Sequence, residues 1–425
     1  MKRLRALTAL GMAGCVLLGG TTVASAEGET IRILTHYSDD VAAIADQFTA
    51  ETGIHVEVEN VPFEQVNDTY EVILSSQSNE YDVYFVDGPN TAAYVNRGYL
   101  EPLGAYFTED EINAFSPALI EQGTVDGEFY AAPLGDSSIV LFYNKNLLAE
   151  AGIDWDWDQY TGETRITWEE LIDLANQVLD VVDPDGMKGI TGIEFGQVSL
   201  VYQMNCLANS LGGANISEDG LSVAGILDSE PWLTALQWYQ DNVNAGVFSR
   251  GIAVGETYSN FYAGKTPFIL MTADSIPYCL DGGMTLDDFG YTYVPAFEGH
   301  EDQVATGCGN WTAAVSAFSE NKDAAGKFVH WITYGEGNDL FQQTAQMVPN
   351  MESRFTEEAY ELNPILRLTK YESENTAVVR AVTPGFNEYS VALNAMWEDI
   401  RNGAEVEGTV AGTIQAVDSA LEAYK

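Results

Sequence analysis

Residues 31–87 read IRILTHYSDDVAAIADQFTAETGIHVEVENVPFEQVNDTYEVILSSQSNEYDVYFVD, and this stretch decides the fold. Ile31-Arg-Ile-Leu34 has the length and apolar character of a buried strand, and it runs into the polar stretch Thr35-His36-Tyr37-Ser38. Val41, Ile44 and Phe48 then recur at the spacing of one helix face, and Thr52-Gly53 stops that helix. His55-Val-Glu-Val-Glu59 alternates as a strand does. Phe63, Val66, Tyr70 and Ile73 mark a second helix. Asp82-Val-Tyr-Phe-Val86 is an apolar strand that ends at Asp87-Gly88-Pro89. Strand, helix, strand, helix, strand in this order predicts a parallel sheet with helices on both faces.

The later chain repeats the style. Tyr130 to Pro133 and Ser138 to Tyr143 read as strands. Thr167-Trp-Glu-Glu170 is a capping box, with Leu171, Leu174 and Val178 behind it on one face. Pro231 suits the first turn of a helix carrying Trp232, Leu236, Tyr239 and Val243. Ser319 opens a predicted helix through Phe328, Val329 and Ile332, and Val410, Ile414, Val417 and Leu421 mark a last one. The chain carries no internal repeat and no Pro/Ser-rich linker. Two α/β domains without a flexible linker are expected to be joined by crossing strands.

Outward from this core, the N-terminus has the three parts of a secretory signal: basic Met1-Lys-Arg-Leu-Arg5, an apolar run to Gly19, and the small-residue ending Val23-Ala24-Ser25-Ala26. The apolar run is too short for a membrane span. Cleavage after Ala26 leaves 399 residues, enough for two domains of ordinary size. Met12-Ala-Gly-Cys15 loosely matches a lipoprotein cleavage site, so a lipid anchor on Cys15 is the alternative. Without the leader, 15 basic residues face 64 acidic ones, a net charge of −49. Such a chain is repelled by nucleic acid and by anionic membranes. The acids are scattered, as on a solvated surface. Cys206, Cys279 and Cys308 are an odd number and allow at most one internal disulfide; Cys279–Cys308 is the preferred pair, with buried free thiols as the alternative.

A series of short motifs adds what periodicity cannot. They are Tyr81-Asp-Val-Tyr-Phe-Val-Asp87, Asn96-Arg-Gly-Tyr-Leu-Glu-Pro-Leu103, Phe129-Tyr-Ala-Ala-Pro133, Leu141-Phe-Tyr-Asn-Lys145 with Ala151-Gly-Ile153, and Thr167-Trp-Glu-Glu-Leu171. Phe261-Tyr-Ala-Gly-Lys265, Ser319-Glu-Asn-Lys-Asp-Ala-Ala325 with Phe328, and Met347-Val-Pro-Asn350 follow. In this order the chain resembles the extracellular solute-binding proteins of carbohydrate ABC importers, the maltose-binding-protein-like group. The resemblance implies a Venus-flytrap fold of two α/β lobes that close on a ligand. It implies about three crossings between lobes, near Gly135, Pro295 and Pro349. Lobe one would hold residues 27–135 and 296–349, and lobe two residues 136–295 and 350–425. It further implies an exported, periplasmic or cell-surface monomer that takes up a sugar or oligosaccharide and delivers it to membrane permease subunits. Neither catalysis, a cofactor nor a metal is implied. The chain departs from the family pattern at Thr35-His36-Tyr37, at Met271-Thr-Ala-Asp274 and at Gly307-Cys-Gly-Asn-Trp311, all in expected ligand loops.

Ligands of doubly wound sheets sit off the carboxyl ends of strands, so strand-end polar and aromatic residues are the candidates. A sugar offers flat C–H faces to aromatic rings and many hydroxyls to carboxylates and amides. His36 and Tyr37 follow the first strand, Asp87 ends the third, and Asp136 stands at the expected crossing. Glu194 follows Gly189-Ile-Thr-Gly-Ile193, and Asp274 follows a strand. Asn310 and Trp311 lie in a glycine-rich loop with little local core for an indole to fill. Loop packing, capping or a turn role is the plain alternative for each. Tyr143 reads as core, and Phe386 and Tyr389 as residues that could flank the cleft.

Other chemistries find no signature. His300-Glu-Asp-Gln-Val304 lacks the second histidine of a zinc site, and Asp154-Trp-Asp-Trp-Asp158 lacks the glycine and glutamate of a calcium loop. No nucleophile elbow or phosphate loop occurs. With 64 acids, paired carboxylates arise by chance and do not argue for a glycosidase. A non-sugar solute (a polyol, a glycerol phosphate or a peptide) is the alternative within binding proteins. An exported glycosidase or lyase is the alternative outside them.

Overall fold

The computed structural model describes residues 29–309 and 311–425. The leader with Cys15, and Asn310, lie outside the described residues. Among the described residues the strands are β1 (Thr30–Thr35), β2 (His55–Asn60), β3 (Val83–Asp87), β4 (Thr124–Val125), β5 (Glu128–Phe129), β6 (Ala131–Pro133) and β7 (Ile139–Asn144). β8 (Ile193–Phe195), β9 (Phe268–Thr272), β10 (Phe289–Thr292), β11 (Thr306–Cys308), β12 (Trp311–Val315) and β13 (Ala377–Val379) complete them.

One sheet has the order β2-β1-β3-β12-β6 and the other β10-β7-β9-β8. β1 runs parallel to both β2 and β3, as the opening sequence predicts. Period-two alternation sends Ile31, Ile33, Val83 and Phe85 into the core on one face and Leu34, Tyr84 and Val86 into the core on the other. Helices cover both faces, so Ile31, Ile33, Leu34 and Val83 to Val86 are buried, and Arg32 at the sheet's rim is exposed and paired with Glu57.

The sheets depart from a purely parallel pattern. β12 enters antiparallel between β3 and β6, and β7 is antiparallel to β9 and β10. The cause is the path of the chain. It leaves the first sheet after Pro133, joins the second at Ile139, and returns to the first only at Trp311. A strand arriving from the other sheet enters from the opposite end. Past Met351 the chain packs on the second sheet's side, with Ile365, Leu366, Phe386, Tyr389 and Trp397 in its cores.

The crossings are tightly tied. The Asp136 amide donates to the Val348 carbonyl at 2.7 Å. Gly135 lies so close to the third crossing that a Cβ there would sit 2.8 Å from Met347 Cβ and 2.9 Å from the Val348 oxygen. Only glycine lets these two segments meet. β11 and β13 form a two-stranded parallel ribbon beside the crossings.

Several local expectations change. The helix expected from Ser319 is Lys322–Thr333, because the Ser319 hydroxyl instead donates to Asp82 at 2.6 Å and accepts the Asn321 amide. Phe63 sits on a short 3-10 turn ahead of the helix Val66–Ser75 and is 58% exposed, off the apolar face that sequence spacing gave it. All three described cysteines are free, so Cys279 and Cys308 are not paired. Cys279 packs beneath the second sheet, whereas the Cys308 thiol donates to Asp136 at 3.4 Å among the crossings. The capping box at Thr167 is present, with Thr167 and Glu170 satisfying each other's amides. Among the described residues no helix is long and apolar enough to cross a membrane.

Candidate functional site

A cleft of about 600 Å³ opens between the two sheets. Its first wall comes from strand ends. His36 and Tyr37 follow β1, Val61 to Phe63 follow β2, Asp87 ends β3, and Trp311 begins β12 directly opposite Asp87. The parallel strands β1, β2 and β3 deliver these groups at their carboxyl ends, where helix-covered sheets leave space for a ligand. The rings form one aromatic surface. His36 lies 4.1 Å from both Tyr37 and Trp311 and 5.6 Å from Phe63, centroid to centroid. Asp40, in the first turn of the helix Ser38–Thr52, lies at its margin.

The second wall is rich in tyrosine. Tyr202 comes from the helix Val201–Asn209, Tyr258 from Val254–Tyr262, and Asp274 and Tyr278 from the turn and short helix after β9. Ser137, Gly309, Met347 and Arg380 close the floor, where the crossings lie. The Ser137 hydroxyl donates to the Gly309 carbonyl and sits 2.8 Å from the Tyr202 hydroxyl.

Arg380 is the one Lys or Arg among the described residues lining the cleft. Its Nη1 donates to Asp87 Oδ2 at 2.9 Å and its Nη2 donates to Asp87 Oδ1, while the guanidinium lies over the Tyr202 ring at 5.2 Å. The pair joins a strand end of the first sheet to the segment that follows β13.

Burial sets the protonation of the site. It pushes the His36 imidazole down to about 4, so the ring is neutral at pH 7. Both His36 nitrogens are buried and without a partner among the described residues. Burial also pushes the carboxyl of Asp274 up, against the pull of Thr272, and Asp274 Oδ1 has no partner among the described residues. Asp40 is likewise raised by burial, with Thr344 opposing. The Tyr37 phenol is held well above the ordinary tyrosine value by burial and then by the charge of Asp274.

His36, Tyr37, Asp87, Asp274 and Trp311, singled out in the sequence, are thus brought together on this cleft. Asp136 and Glu194 are not among its lining residues. Asp136 is buried at the crossings, where its carboxylate accepts from the Ser137 amide at 2.7 Å, from Ser373 Oγ at 2.6 Å and from the Cys308 thiol. Glu194 is in β8, 1% exposed, and burial pushes its carboxyl up to about 7 against Ser249, Thr191 and Arg401. Tyr143 is core, stacked on Trp157 at 4.0 Å, and Phe386 and Tyr389 are core too. Sequence reading missed Phe63, Tyr202, Tyr258, Tyr278 and Arg380. The first four sat in patterns read as helix faces or left unread. Arg380 had no local signal beyond being one of few cations in an acidic chain.

Aromatic faces line both walls, and carboxylate and imidazole atoms unpartnered among the described residues lie beside them. Comparison with known proteins bears on the family and the fold. The maltotriose-binding protein of Pyrococcus abyssi is 24% identical over 242 residues, covering 56% of this chain and 48% of that protein. The galactooligosaccharide-binding protein of Bacillus subtilis is 23% identical over 363 residues, covering 81% of this chain and 76% of that one. In structure the chain is similar to the GacH receptor of Streptomyces glaucescens, solved unliganded and in complex with acarbose. The TM-score is 0.79 at 21% identity, over 94% of this chain and 100% of that one. That likeness shows a shared two-lobed fold. Residues 37–336 match the family described as bacterial extracellular solute-binding protein. Because that match runs through both sheets and takes in more than two thirds of the sequence, the chain belongs to the bacterial extracellular solute-binding proteins.

Proposed function

We propose that the chain is the sugar-capturing component of an ABC import system, exported by its leader and working as a monomer outside the cytoplasm. The observation that carries this reading is the pair of aromatic walls with unpartnered polar atoms between them. A saccharide needs both features. Its C–H faces lie on rings, and its hydroxyls donate to carboxylates and accept from donors.

In this reading lobe one spans 27–135 and a return segment to 349, lobe two spans the rest, and Asp136 is a hinge group. The second crossing falls after Val304 and not near Pro295, since Ala296, Phe297 and Val304 pack in the second sheet's core. The sugar first stacks on Trp311 and its aromatic neighbours. Closure then brings Asp274 and the tyrosines of the second wall onto it, and differential affinity for the closed state drives the motion. The closed form docks on permease subunits. No bond is broken, and the mechanism needs neither metal nor cofactor. A phosphorylated solute fits poorly, since the one cation of the cleft is already held by Asp87.

Trp311→Ala tests the reading. Loss of the indole should weaken saccharide binding by about 1–3 kcal/mol in titration calorimetry. Affinity equal to wild type would remove Trp311 from the site. Turnover of a glycoside would replace the reading with an enzyme.

A further inference from the structure

Charge in the cleft is unevenly spent, and this points beyond a neutral sugar. Asp87 already has its counter-charge, held by both terminal nitrogens of Arg380. Asp40 and Asp274 also line the cleft, and among the described residues neither forms an ion pair. They stand on opposite walls. Asp40 belongs to the helix after β1, and Asp274 to the turn after β9. Yet both act on the same two phenols, Tyr37 and Tyr278, so they face one shared space. Among the described residues Asp274 Oδ1 is shielded from solvent and has no partner, although the phenols of Tyr37, Tyr202, Tyr258 and Tyr278 all lie within its electrostatic reach.

Resting on the carbohydrate reading, we infer that the captured saccharide carries a protonated amine, an amino sugar or a like cationic glycoside, seated between Asp40 and Asp274 against the tyrosine rings. Two like charges brought together by closure repel each other, and the low dielectric of a closing cleft strengthens that repulsion. A cation between them converts repulsion into two charge-assisted hydrogen bonds and a ring contact. The ligand's charge thereby becomes the term that favours the closed state, which is what a selective flytrap requires. Burial already raises both carboxyls, the response expected of groups that lack a cation. The excess of 64 acidic over 18 basic residues draws cations to the protein in general.

The test is a calorimetric titration of the purified protein with matched saccharides that differ only in one substituent. The probes are glucosamine, N-acetylglucosamine and glucose, with their β-1,4 oligomers, and galactosamine with galactose, at pH 7 and at two salt concentrations. The expected result is that an amine-bearing member binds about ten-fold tighter than its N-acetyl or hydroxyl counterpart, the scale of one charge-assisted contact, and loses this advantage in high salt. In Asp274→Asn and in Asp40→Asn the ratio of amine to N-acetyl affinity should collapse toward one. Asp40, in the half-buried first turn of its helix, serves as the check if Asp274→Asn folds poorly. Failure of every amine-bearing probe to out-bind its neutral counterpart overturns the inference. Binding of neutral saccharides in that case leaves the carbohydrate reading standing. Binding of no saccharide overturns both.

Discussion

Arg165 and Arg380 each grip a carboxylate with both terminal nitrogens, and their surroundings could hardly differ more. Arg165 and Glu372 are 2% and 0% exposed at the side chain, with both N–O contacts at 2.7 Å. Arg165 also donates to the carbonyls of Gly162 and Val294, lies near the rings of Tyr293 and Tyr371, and has an acceptor for each of its three nitrogens. Glu372 further accepts from Thr376 and from the Val294 amide. Arg380 and Asp87 are 13% and 17% exposed, and Arg380 Nε has no partner. The first pair joins segments that both pack on the second sheet, one beside Ile166 and the other beside Leu368. The second spans the floor of the cleft between the two sheets. Complete satisfaction marks scaffold, and a grip left partly open beside a cavity marks a place where a ligand can take part.

The comparison can be broken most severely at its buried end. Arg165→Met strands Glu372 without a counter-charge and should cost about 3–5 kcal/mol in denaturant unfolding. Ligand affinity of the folded fraction should hardly move. A loss below 1 kcal/mol would mean that the pair is no scaffold.

Glu194 sharpens the same contrast, as a buried glutamate that lacks an arginine grip. Its carboxyl is raised by burial from an ordinary 4.5 to about 7. Between those values the native state holds a proton that the unfolded chain has released. Stability therefore falls as pH rises across this window, by about 3 kcal/mol for a shift of this size. The contribution is fully present below about pH 4.5 and gone above about pH 7. Unfolding measured across that range should flatten in Glu194→Gln, and an unchanged slope would remove Glu194 as its source.

Arg380→Met has the smallest effect on folding, about 1–3 kcal/mol, because water reaches the freed Asp87. Its effect on binding should be of the same scale as its effect on stability, unlike that of Arg165→Met. It releases Asp87 on one wall and Tyr202 on the other, so affinity should drop by about ten-fold. Equal affinity in Arg380→Met and wild type would make the pair a second scaffold and erase the distinction drawn from Arg165.

Much of the fold was legible because burial on both faces writes itself into short apolar runs. β1 and β3 could be placed from Ile31 to Leu34 and from Val83 to Val86, and the ends of these strands supplied His36, Tyr37 and Asp87. Trp311 reaches the cleft for a reason other than the one its glycine-rich surroundings suggested: it is the first residue of β12, packed against the cores of the first sheet with the cleft beside it. What stayed hidden depends on distance along the chain. Arg380 meets Asp87 across 293 positions, and no periodicity reports such a meeting. The antiparallel entry of β12 follows from a return path that local pattern cannot encode. Tyr202 and Tyr258 sit on helices, where an aromatic facing a cleft and one facing a core share the same spacing. Asp136 and Glu194 show the converse. They are polar residues at strand ends or in strands that serve burial and crossing geometry, and the cleft lies elsewhere.

A thermal-shift screen of the purified protein and of Trp311→Ala against mono-, di- and oligosaccharides, neutral and amine-bearing, tests the central claim most directly. A ligand that binds only the native state adds about 2.7 kcal/mol of stability at 100 times its Kd. The result expected is a rise in melting temperature of several degrees for one saccharide family in wild type, and a clearly smaller rise in Trp311→Ala at the same ligand concentration. The contradicting result is a flat response to every saccharide, or a rise of equal size in both proteins, which would place the ligand somewhere other than the cleft between the sheets.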